Sequence, residues 1–63
     1  MTQQEAVALI NTWITEYSPF AAQVVKACRG EQGSWLIEVE CSEVIWQQTV
    51  SPEGEVSTPI LLD

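Results

Sequence analysis

Two segments leave this chain little freedom. An alternating run, SWLIEVEC at 34–41, and a β-rich run, VIWQQTV at 44–50, are separated only by Ser42 and Glu43. A two-residue link joins antiparallel neighbours and cannot serve a parallel crossover. The period of two puts Trp35, Ile37 and Val39 on one face and Leu36, Glu38 and Glu40 on the other. A two-stranded ribbon is marginal in water, so further elements must pair with its edges or cover its apolar face.

The residues after 50 supply one edge. Ser51-Pro52-Glu53-Gly54 is a turn sequence, with proline at its second position and glycine at its last. A three-residue loop at 52–54 pairs Val50 with Val56, Gln48 with Thr58, Trp46 with Ile60 and Val44 with Leu62. A fourth strand is therefore expected at about 55–61. Pro59 cannot donate to a ladder, which makes that strand an edge.

Residues 19–29 admit two readings. Ser18 as a cap, Pro19 at a first helical position, and Lys26 and Arg29 near the end would suit a helix. A strand at about 23–29 is the alternative. A hairpin through Glu31-Gln32-Gly33 pairs Arg29 with Trp35, Cys28 with Leu36, Ala27 with Ile37, Lys26 with Glu38 and Val25 with Val39. The strand is favoured because it gives one apolar face and sets a lysine opposite a carboxylate.

The first segment reads as a helix at 3–17. Thr2 and Glu5 have capping-box spacing. Ala6, Leu9, Ile10, Trp13 and Tyr17 recur at helical spacing and form one apolar stripe. Ser18, preceding Pro19, is pushed out of the helical region, so the helix stops there. The expected fold class is α+β, one N-terminal helix packed on a three- to four-stranded antiparallel meander, in a single small domain over 1–63.

Composition narrows the function. The chain of 63 residues has 9 acidic side chains, 2 basic ones and no histidine, a formal net charge of −7. Lys26 and Arg29 cannot form a patch that neutralises a phosphate backbone, so direct nucleic-acid binding is not expected. Absence of histidine removes Ser-His and Cys-His nucleophile pairs and imidazole metal ligands. A carboxylate pair acting as acid and base needs a cleft with two unlike environments, which so small a meander rarely encloses. Neither an enzyme nor a cofactor is expected. No apolar run approaches a membrane span, and the N-terminus lacks a basic, apolar leader, so a cytoplasmic location is expected.

Some residues carry a resemblance. Glu5-Ala6 with Ile10, followed by strands and a Pro52-Glu53-Gly54-Glu55 turn, is similar to PepSY-type modules. Gly33, Trp35, Ile37, Val39, Glu40 and Glu43 resemble the G-x-W-x-[VI]-x-V-E-x-x-E strand of the gas vesicle accessory protein O family. The first resemblance implies binding or inhibition of a partner protein, and the second implies assembly of a protein shell. PepSY modules are usually exported, whereas no signal is seen here. The gas vesicle family carries a basic C-terminal segment, whereas this chain ends in uncharged residues and Asp63.

Three candidate sites follow. Glu38, Glu40 and Glu43 are the densest acidic group and offer hard oxygen ligands, but no calcium-loop motif accompanies them, so a solvated face is the favoured reading and no metal is expected. Cys28 and Cys41 have opposite parity, which argues against a disulfide between them. The tryptophans are the third. Trp13 and Trp35 belong to the core, whereas one helix of about 22 Å covers two or three strands and leaves Trp46, Val50, Val56 and Ile60 partly uncovered, unless the sheet curls enough to bury them. An apolar patch of that kind marks an interface.

The expected function is that of a small acidic, non-enzymatic protein-interaction module, an accessory, regulatory or inhibitory subunit. Trp46, Val56 and Ile60 would supply affinity. Glu38, Glu40, Glu43, Glu53 and Glu55 would steer toward a partner protein with a basic surface. Homodimerisation would bury the same patch. The alternative is a nucleic-acid mimic that occupies the basic groove of a DNA- or RNA-binding protein.

Overall fold

The structure, a computed structural model, describes residues 1–62; Asp63, counted above among the acids, lies outside the described residues. Helix α1 spans Gln3–Tyr17 and is followed by strands β1 Gln23–Arg29, β2 Trp35–Cys41, β3 Val44–Val50 and β4 Ile60–Leu61. The strands form one antiparallel sheet in the order β1-β2-β3-β4. The helix packs mainly over β1, β2 and β3 on one face. The fold is α+β, as the sequence leads one to expect, and residues 19–29 resolve as a strand.

The helix starts where its chemistry requires. The Thr2 hydroxyl accepts from the Glu5 N–H at 3.2 Å, and a Glu5 carboxylate oxygen accepts from the Thr2 N–H at 2.8 Å. Such a reciprocal cap satisfies two orphan donors and contributes about 1 kcal/mol. Its buried stripe is Ala6, Ile10 and Ile14, with Val7, Leu9 and Trp13 half-buried beside it. The sequence stripe therefore needs one correction. Ile14 is core, and Tyr17 is exposed. Facing the stripe are Trp35, Ile37 and Val39 of β2 and Trp46, Gln48 and Val50 of β3, all buried.

The β2–β3 pairing runs without interruption from Trp35↔Val50 to Cys41↔Val44. At the connecting turn Ser42 has φ 57 and Glu43 does not share the positive φ, as in a type II′ hairpin. The β1–β2 hairpin closes through Glu31–Gly33, with Gln32 at φ 55 and Gly33 at φ 81. Its register is the expected one from Arg29↔Trp35 to Lys26↔Glu38, and then it shifts. Val24, not Val25, stands opposite Val39. Val25 is the extra residue of a bulge and is exposed. A bulge on an edge strand raises the local twist and breaks the row of free pairing groups, which protects the edge.

The last segment departs further from expectation. Val50 pairs with Val56 as an isolated bridge, but β4 is only two residues long and pairs Trp46↔Leu61 and Gln47↔Ile60. The expected pairs Trp46–Ile60 and Val44–Leu62 are displaced by one residue. Leu62 donates its N–H to the Ile45 carbonyl instead, at 2.9 Å. The cause lies at Ser57. Its N–H donates to the Thr49 carbonyl at 2.9 Å, but the return bond from the Thr49 N–H goes to the Ser57 hydroxyl at 2.8 Å. The Ser57 carbonyl is thereby released and accepts from Gln48 Nε2 at 3.0 Å. Pro59, two residues on, has no N–H with which to restore the ladder. One residue of slip exchanges the two faces of everything that follows.

Candidate protein-binding surface

The displaced register decides which apolar side chains are left uncovered. Leu61 lies on the helix-facing side of the sheet, beyond the reach of α1, and is 68% exposed. Ile60 is as exposed, at 64%, but it pairs with Gln47 and so faces the opposite side. Trp46 is 9% exposed and belongs to the core. The Trp13 ring meets it edge-on at 6.4 Å between centroids, and the Trp46 indole N–H donates to Gln48 Oε1 at 2.7 Å. Gln48 is wholly buried, and its amide spends both ends, one on Trp46 and one on Ser57. A buried polar side chain satisfied at both ends costs little and fixes its neighbours. Val50 is fully buried, and Val56 is half-buried against the core. The expected patch of Trp46, Val50, Val56 and Ile60 is thus not assembled.

A different apolar surface is assembled nearby. Phe20, Cys41, Ser42, Val44, Trp46 and Leu61 line an open groove of ≈ 370 Å³ at the end of the molecule where α1 stops. Phe20 is 70% exposed and Val44 39%. Phe20 is placed by a short turn, in which the Ser18 hydroxyl bonds both the N–H and the carbonyl of Phe20, at 3.3 and 2.9 Å. The edge of Trp46 forms part of the floor. The Tyr17 ring leans against Trp13 at 5.2 Å between centroids, tilted by 40°, so an aromatic row runs from the exposed Tyr17 through Trp13 to Trp46. Residue-type reading missed Phe20 because the irregular stretch before β1 has no periodicity. It assigned the fourth-strand contribution to Ile60 rather than Leu61 because the slip at Ser57–Pro59 has no clear sequence signature beyond the proline.

The acids named from the sequence do not converge. Glu38 and Glu40 lie on the sheet face away from the helix, with Lys26 opposite Glu38 in the register. Glu43 sits in the β2–β3 turn, beside the groove residues Ser42 and Val44. Glu53 and Glu55 lie at the far end, where the Ser51 hydroxyl accepts from the Glu55 N–H at 3.0 Å. Among the described residues no group of three His, Cys, Asp or Glu side chains is placed to hold a metal ion. The two thiols are free, Cys28 exposed on the outer face and Cys41 half-buried beside the core.

Acids stand at both ends of the molecule, and Glu5, Glu31, Glu53 and Glu55 lie at the end where α1 begins. At the groove end stand Glu16 next to Tyr17, Glu40 beside Ser42 in a neighbouring hollow, and Glu43. The two basic side chains lie elsewhere. Lys26 is midway along β1, and the Arg29 guanidinium lies 5.2 Å over the Trp35 ring at the opposite end. No helix among the described residues is long and apolar enough to cross a membrane. Comparison with family models, with curated proteins and with solved structures gives no match.

Proposed function

We infer that this chain is a small, acidic, non-enzymatic protein-interaction module, an accessory, regulatory or inhibitory subunit that binds a protein with a basic surface. The observation that carries this reading is the contiguous exposure of Phe20, Val44 and Leu61 around the groove floored by Trp46. Large apolar side chains left uncovered together on so small a body mark a binding surface. The carboxylates raise the rate of encounter with a basic partner and select against acidic ones. Neither PepSY-type inhibition nor gas-vesicle-type assembly conflicts with such a role.

The test is capture from the source cell with the wild-type chain and with Leu61→Asp side by side, recovered proteins being identified by mass spectrometry. A protein retained by the wild type at moderate salt and lost with Leu61→Asp is the expected result. Proteins recovered equally by both chains would sink the reading. A nucleic-acid-binding protein that is released by moderate salt, and is indifferent to Leu61→Asp, would support the mimic instead.

A further inference from the structure

The geometry points to the occupant of the groove: a short segment of a partner protein that inserts one large apolar side chain between Phe20 and Leu61 and carries lysine or arginine on either side of it. This rests on the reading just given and narrows it to a partner chemistry.

Size comes first. The groove, at ≈ 370 Å³, is near the low end of ligand pockets, which run roughly 300–1,000 Å³. Its lining is dominated by Phe20, Val44, Trp46 and Leu61, with Ser42 and the Cys41 thiol as the polar exceptions. A single leucine, phenylalanine or tryptophan anchor suits such a depression. Aromatic and aliphatic anchors in pockets of this kind carry most of the affinity at protein interfaces.

Charge decides what flanks the anchor. Among the described residues, Glu16, Glu40 and Glu43 stand at this end and both basic side chains stand away from it. A segment with cations beside its anchor gains from Glu43, next to the groove residues Ser42 and Val44, and at longer range from Glu16 at the helix end and Glu40 on the outer face. A second copy of this chain would bring the same acids against them, and like charges across an interface are a penalty. Self-association through this end is therefore disfavoured, and a basic-flanked segment is favoured over a homodimer.

The experiment uses the whole chain, isotopically labelled, titrated with synthetic peptides and followed by backbone and methyl NMR. The first peptide has a central tryptophan or leucine flanked on both sides by lysines. The second replaces the lysines by glutamates, and the third replaces the anchor by serine. The expected result is that the first peptide shifts the signals of Val44, Leu61, Cys41 and Phe20. The glutamate peptide should bind about tenfold more weakly, the sum of a few partly exposed ion pairs. The serine peptide should not bind measurably, and Leu61→Asp, at an exposed position, should remain folded and lose the first peptide. Equal binding of lysine and glutamate peptides would overturn the proposal. So would shifts confined to Ile45, Gln47 and Ile60 on the outer face, or groove signals that move on concentrating the chain alone, which would make a second copy the occupant. If no peptide engages the groove while a cellular protein is still captured in a Leu61-dependent way, the segment proposal fails and the interaction reading stands.

Discussion

The two ends of this molecule solve the same problem differently. At the end where α1 begins, the chain closes on itself. The Trp35 indole N–H donates to the Met1 carbonyl at 3.3 Å, Arg29 covers the Trp35 ring, and Thr2 and Glu5 cap each other. A side chain at Gly33 would reach Pro52, and one at Gly54, at φ 93, would reach Leu9 and Met1, so glycine lets these turns approach closely. At the end where α1 stops, there is no such closure. The helix runs out at Tyr17, β4 contributes only Ile60 and Leu61, and Phe20, Val44 and Leu61 are left facing water. A 63-residue chain has too small an interior to bury all of its apolar groups. Here the shortfall is concentrated at one end, and that difference separates what holds the fold from what is available to a partner.

The sharpest way to break the comparison is at the closed end. Trp35→Ala removes a side chain that is 7% exposed, its bond to Met1 and the surface under Arg29. It should cost about 3–5 kcal/mol, much of the stability of a domain this size. Urea unfolding followed by circular dichroism measures it; a loss below about 1 kcal/mol would show that this end is not what closes the fold. Trp46→Phe tests the boundary between the ends. It keeps the aromatic bulk but removes the indole N–H and leaves Gln48 Oε1 without its donor, inside a fully buried side chain. The expected loss is about 1–3 kcal/mol. An unchanged midpoint, together with loss of peptide binding, would place Trp46 in the interface and not in the core.

The same contrast explains how much of the molecule was legible beforehand. The closed end was written in local signals. Thr2 with Glu5, Gly33 in the left-handed region and Pro52 with Gly54 are short-range devices whose geometry follows from residue type. The β2–β3 register was legible because a two-residue link permits almost no slippage. What was not legible depended on one-residue choices made by tertiary packing. At Val24-Val25 two equal side chains compete for one inward position, and nothing local favours the first. At Ser57 a hydroxyl displaces a carbonyl from the ladder, which few residues nearby announce. That single slip moved the uncovered residue from Ile60 to Leu61, and with it the composition of the candidate site. Trp46 was undecidable from sequence because its burial depends on Trp13 reaching over it.

Substitution at the open end should leave stability almost untouched. Leu61→Asp adds a charge at a position 68% exposed, and the unfolding midpoint should move by no more than about 0.5 kcal/mol. If thermal unfolding showed a loss comparable to Trp35→Ala, Leu61 would belong to the packing of the fold, and the contrast between the two ends would collapse.

The smallest effect is a pH dependence lodged at the closed end. The Glu5 carboxylate is held below the ordinary glutamate range, chiefly by the hydrogen bond from the Thr2 backbone N–H, then by the Thr2 side chain, with the N-terminal ammonium adding to both against a small opposing effect of burial. A carboxylate with a lowered folded-state pKa stabilises the fold in its charged form. Its contribution is therefore complete above the ordinary glutamate value and fades as the pH drops through the lowered one. Glu5→Gln keeps an amide oxygen able to cap Thr2 but has nothing to titrate. The remaining carboxylates are common to both proteins, so the difference between the two unfolding midpoints isolates Glu5. Wild type should exceed Glu5→Gln at neutral pH, and the gap should narrow on acidification below the ordinary glutamate range. A gap that stays constant across that window would mean that the cap works as a neutral hydrogen bond and that the charge at this end contributes nothing to its closure.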